Sequence, residues 1–145
     1  MKSPLFQTIV LTVALLVPAK ARIGETVAES DARYGKPTEI KSPSRYYSKN
    51  GYKIVVKFRG GKAAQITFGK EKMDSDGVRE GMTKEEIQSI LKSNGDGAEW
   101  EKANVGGPLC LSWVTKGMAR VGIYQPLDRF LLIITKEEND KGNEE

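Results

Sequence analysis

Three cations, Lys53, Lys57 and Arg59, stand an even number of positions apart in one short stretch, and Tyr46 lies one hairpin turn upstream. Residues spaced by two or four share a strand face, so this pattern gathers positive charge beside a phenol ring. Lys49 and Lys62 flank it at the turns. Such a surface can hold an anionic glycan, a lipid headgroup or an acidic protein surface. Its structural alternatives are a solvated face that discourages edge pairing or pairing with the chain's own acidic segment. A second group, Trp113, Arg120 and Tyr124, has residue types that anchor protein interfaces; the alternative there is burial beneath a helix. Glu80, Glu85 and Glu86 offer carboxylates for acid–base work. Glu85 and Glu86, however, fall in a helix's first turn, where the dipole alone favours acids.

Much other chemistry is excluded. The chain has no histidine, which removes Ser-His-Asp and Cys-His catalysis in their usual forms and His-rich metal sites. Cys110 is the single cysteine, so no disulfide can form within the chain, and Leu109, Leu111 and Trp113 around it point to a buried, inert thiol. Asp74-Ser75-Asp76-Gly77 resembles the start of a calcium loop, but its glycine comes too early, and turn chemistry accounts for it. Gly60-Gly61 and Gly106-Gly107 lack the helix and lysine that a phosphate loop needs. No catalytic, cofactor-binding or metal-binding residue is assigned, no cofactor is expected, and the protein is read as not an enzyme.

The elements that position these residues follow from capping and turn signals. Thr26 with Glu29, then Gly35 and Pro37, predicts a helix from Thr26 to Tyr34. Strands are predicted at Ser44–Lys49, Tyr52–Arg59 and Ala63–Phe68, the first two joined by Asn50-Gly51. A three-residue loop at the second turn is expected, because it joins Ala64, Ile66 and Phe68 with Ile54, Val56 and Phe58 in one apolar face. The pattern then repeats. Thr83 and Glu86 open a helix over Lys84–Ser93, and strands follow at Leu109–Thr115, Met118–Tyr124 and Arg129–Thr135, with Trp113 placed across from Arg120. The expected fold is α+β: tandem units of one helix and a three-stranded antiparallel meander, with the helices packed on the sheet. The units span 22–72 and 73–135, and 136–145 is a disordered polar tail. The second meander reads as apolar on both faces.

Residues 1–21 read as a signal peptide: Lys2, an apolar run through Val17, then Ala19-Lys20-Ala21 as a cleavage site. The finished protein is thus expected to be periplasmic or secreted, with no transmembrane anchor after cleavage, and export disfavours nucleic acid as a partner. Charge is uneven. From Lys41 to Lys72 nine basic residues face one acid, a local net of +8, while from Met73 to Glu101 eight acids face three bases, a net of −5.

The segment Ile23-Gly24-Glu25-Thr26 through Ala32-Arg33-Tyr34-Gly35-Lys36-Pro37 resembles the opening of small exported bacterial proteins with a beta-lactamase-inhibitor-like or outer-membrane-assembly-lipoprotein-like α/β fold. That resemblance implies short helices on one face of an antiparallel sheet and a role in binding another protein. The chain departs from the assembly lipoproteins in lacking a lipobox cysteine, and from the inhibitors in having no disulfide pair. The function expected is an exported non-catalytic binding module, protein-interaction or inhibitor-like, with another exported or envelope protein as partner. The alternatives are a binder of anionic glycan or lipid headgroups and a small hydrolase using carboxylates.

Overall fold

The computed structural model describes residues 22–138; the predicted signal peptide, 1–21, and residues 139–145 lie outside them. Helix α1 (Val27–Tyr34) opens on a capping box in which Thr26 Oγ1 accepts the Glu29 N–H at 3.3 Å and the Glu29 carboxylate accepts the Thr26 N–H at 2.8 Å. Helix α2 (Lys84–Asn94) repeats the device with Thr83 and Glu86. Each box satisfies donors that a helix start leaves orphaned.

Among the described residues, eight strands follow these helices: β1 (Glu39–Lys41), β2 (Ser44–Lys49), β3 (Tyr52–Arg59) and β4 (Lys62–Lys70) after α1, then β5 (Trp100–Ala103), β6 (Leu111–Thr115), β7 (Arg120–Gln125) and β8 (Phe130–Thr135) after α2. All form one antiparallel sheet in the order β1-β2-β3-β4-β8-β7-β6-β5. This corrects the predicted α+β architecture: the units have four strands where three were expected, and strand, not a layer of helices, dominates the described residues. The protein is a largely β fold, in which two four-stranded meanders join through β4 and β8. Sequence pattern misses β1 and β5 because they are three and four residues long and largely exposed, so no alternation of burial marks them.

The turn between β3 and β4 also differs from expectation. It has two residues, Gly60 and Gly61, with φ of 56° and 75°, a conformation that only glycine adopts readily twice in succession. It pairs Arg59 with Lys62 and Phe58 with Ala63; the register then shifts, so that Lys57 faces Gln65 and Val56 faces Ile66. A bulge on β4 supplies the residue that the short loop lacks. Ile54 and Val56 still share a buried face with Ile66 and Phe68.

That face continues across β8 and β7 through Leu131, Ile133 and Tyr124 to Trp113 on β6. Tyr34 of α1 and Ile87 and Leu91 of α2 belong to the same cluster. Gly122 on β7 permits this contact: a Cβ there would come within 2.6 Å of Leu91 Cδ2. On the opposite side, Val121, Ile123 and Ile134 form a second cluster with Val105, Cys110, Val114 and Leu132. Val105 and Cys110 belong to the β5–β6 loop, so that segment helps to cover the outer face of the second meander.

Candidate functional site

The outer face of the first meander carries the predicted cations. Tyr46 lies across from Val55, and Ser44 and Ser48 lie across from Lys57 and Lys53, so Tyr46, Lys53 and Lys57 share one side as the alternation requires. Two of the three cations are already held. Lys57 Nζ and an Arg59 guanidinium nitrogen each stand 2.8 Å from the carboxylate of Glu138, whose side chain is only 9% exposed. Glu138 sits in a short helical turn over 136–138 that follows β8, where sequence predicts a disordered tail. Lys53 is exposed and makes no ion pair among the described residues.

Beside Lys53 lies a groove of about 690 Å³. Its apolar wall combines Tyr46 and Val55 with Phe130 of β8, and its polar rim includes Lys53, Arg79 and Asp128. Arg79 reaches it by lying across Gly69, where a Cβ would fall 3.1 Å from Arg79 Cδ, and by donating to the Lys70 carbonyl. Glu39 is paired with Lys41 at 2.8 Å, and Glu71 accepts from Ser48. Lys41 Nζ stands 5.5 Å from the Tyr46 ring centroid, within cation–π range. Among the described residues, the groove charges with neither an ion pair nor a side-chain hydrogen bond are one cation, Lys53, and one anion, Asp128, while Arg79 and Glu71 are bonded only to neutral groups and keep their charge. This is an amphipathic surface of mixed sign.

Trp113, Arg120 and Tyr124 are placed differently from the predicted partner face. Trp113 and Tyr124 are each 7% exposed and belong to the main core. Trp113 pairs with Gly122, not with Arg120. The Tyr124 hydroxyl accepts the Met82 N–H at 3.1 Å, while Arg120 donates to the Asn94 carbonyl at 3.0 Å at the end of α2. Burial in the core thus removes Trp113 and Tyr124 from any exposed face, and the half-buried Arg120 is held at the end of α2.

Two of the three candidate carboxylates, Glu80 and Glu86, are likewise occupied, and Glu85 is exposed on the first turn of α2. Lys70 lies 3.4 Å from Glu80 and 3.1 Å from Glu86. The attraction of Lys70, with Lys72 adding to it, holds the Glu80 carboxyl below the usual carboxylate range. Burial alone would raise Glu86, but the Thr83 N–H, Lys70 and the Tyr52 hydroxyl outweigh it and set the net shift downward. Both stay ionised at neutral pH and are poor proton donors. Asp74 serves a turn: its Oδ1 accepts the N–H groups of Asp76 and Val78 at 3.0 and 2.9 Å. Among the described residues, no group of three or more His, Cys, Asp or Glu is placed to hold a metal ion, and no helix is long and apolar enough to cross a membrane.

Sequence reasoning finds Tyr46 and Lys53 but misses Phe130, Arg79, Asp128 and Glu138. The last four come from distant parts of the chain, and only the β4–β8 pairing and the loop after β4 bring them to the first meander.

No family model and no curated protein matches the chain. Among solved structures it is similar to a cysteine-rich secretory protein of Staphylococcus aureus, with a TM-score of 0.42 and 10% identity, over 80% of this chain and 45% of that one. The chain thus spans less than half the length of that neighbour.

Proposed function

We propose that the protein is an exported, non-catalytic binding module that engages a partner protein through the groove on the outer face of its first meander. The observation that carries this reading is the pairing of an apolar wall, Tyr46, Val55 and Phe130, with two opposite charges, Lys53 and Asp128, that have no ion-pair partner among the described residues. Apolar and aromatic area with a few polar groups of both signs suits a protein surface. The anionic glycan or lipid reading is weakened because Glu138 occupies Lys57 and Arg59. The hydrolase reading is weakened because Glu80 and Glu86 are ion-paired and held in the ionised form. Export rests on the signal-like pattern of residues 1–21.

The test is capture from an envelope extract of the producing cells on the immobilised protein, washed at low and high salt. One stoichiometric protein retained at high salt, and lost on Tyr46→Ala, is the expected outcome. Capture of glycan or lipid alone that vanishes at high salt would overturn it, because salt screens exposed charge but spares apolar burial.

A further inference from the structure

The sheet ends at β5, and among the described residues nothing pairs with the outer side of that strand. Its ladder with β6 continues past the strand as the Lys116 N–H donates to the Glu99 carbonyl at 3.1 Å. Hydrogen-bonded positions alternate along an antiparallel pair, so Glu99, Glu101 and Ala103 bond toward β6. The N–H and C=O groups of Trp100 and Lys102 therefore point away from the sheet. Alongside this free edge a groove of about 710 Å³ separates β5 from α2, lined by Gln88, Ser89 and Lys92 on the helix and by Trp100 on the strand. Its floor is fixed: the Trp100 indole N–H donates to the Leu91 carbonyl at 2.6 Å, and the ring lies over Gly122.

Independently of the outer-face groove, we propose that β5 accepts an extended segment of a partner protein as a ninth, antiparallel strand. The unpaired edge groups supply its main-chain hydrogen bonds, and the cleft beside α2 receives one of its side chains. Charge indicates which segment fits. Lys102 shares the α2 side of the sheet with Trp100, Glu101 lies on the other side, and neither Glu101 nor Lys102 has an ion pair among the described residues. A segment that places an acidic residue opposite Lys102, a basic one opposite Glu101 and an apolar one opposite Trp100 meets all three. A second copy of this chain fits poorly. Two-fold antiparallel pairing across the middle of β5 sets Glu101 against Glu101 or Lys102 against Lys102, and directly opposed like charges destabilise a ladder.

The probe is the terminally blocked peptide STERVKT, which carries that acidic–basic–apolar order, titrated into the isotopically labelled protein and followed by amide resonances. Expected are shifts and slowed exchange at Trp100 and Lys102, and binding about tenfold weaker for a peptide with the two charges exchanged. The double variant Glu101→Lys, Lys102→Glu, both exposed positions, should reverse that preference. No movement at Trp100 and Lys102 at about 1 mM peptide, the weak end of specific recognition, would overturn the proposal. So would movement confined to the Tyr46–Lys53 face, equal binding of both peptides, or concentration-dependent shifts at β5 without peptide, which would identify a second copy as the occupant.

Discussion

Replacing Gly122 with alanine probes how α2 seats on the second meander. The added Cβ would stand 2.6 Å from Leu91 Cδ2 and 3.4 Å from Trp100 Cζ3, whereas ordinary carbon contacts need about 3.5–4.0 Å. Leu91 is fully buried, and the Trp100 ring is tied by its indole N–H to the Leu91 carbonyl, so neither neighbour can simply swing into solvent. Relief requires α2 to lift by about 1 Å, and overpacking of that kind costs about 1–3 kcal/mol. For a domain of this size each kcal/mol lowers Tm by about 3–5 °C, giving an expected fall of roughly 3–15 °C. Thermal unfolding followed by the near-ultraviolet signal of Trp100 and Trp113 measures it. Because the clash is with Leu91, the double variant Gly122→Ala, Leu91→Ala should lose less than the sum of its single variants, by about 0.5–3 kcal/mol. A Tm unchanged to within about 1 °C, a shift worth only a few tenths of a kcal/mol, would refute the close seating of α2 on β7.

Glu138→Gln should release Lys57 and Arg59, so the variant elutes from a polyanion column at higher salt than the parent. Its stability should fall by less than about 1 kcal/mol, because both cations are more than a third exposed. Trp113→Ala should cost about 3–5 kcal/mol in denaturant unfolding, the behaviour of a core aromatic; near-neutral stability would return Trp113 to the surface. Glu29, Asp74, Glu80 and Glu86 all have lowered carboxyl pKa values, and Glu29 and Asp74 owe theirs chiefly to backbone N–H groups. Their stabilisation is present above the unfolded carboxylate value of about 4 and lost as pH falls below it, so Tm against pH should drop there. Tyr34 and Tyr47 are raised first by burial, with Glu25 and Asp31 respectively adding to it, so stability should also fall as pH rises through about 10, the unfolded tyrosine value. The buried Tyr34 hydroxyl has no hydrogen-bond partner among the described residues, so Tyr34→Phe should leave stability equal or higher and blunt the alkaline loss.

Local signals of the chain were readable where chemistry acts within a few residues. Both capping boxes, the Asn50-Gly51 turn and the alternation of Ile54, Val56, Ile66 and Phe68 are found where sequence puts them. What escaped depends on partners far along the chain. β1 and β5 exist because β2 and β6 offer free edges, and β4 meets β8 across some sixty residues that carry no mark of that pairing. The same gap blurred the surfaces. Lys57 and Arg59 look free until the turn after β8 brings Glu138 to them, and Trp113, which sequence leaves between a partner face and burial beneath a helix, is settled as buried only by the assembled core.

Amide hydrogen exchange of the protein with and without its captured envelope partner would locate the binding surface directly. Protection confined to β2, β3 and the start of β8, around Tyr46, Lys53 and Phe130, is the predicted footprint of a partner in the outer-face groove. Protection at the turns around Lys62 and Lys116 with β2 and β3 unchanged would contradict it and move recognition to the other end of the sheet.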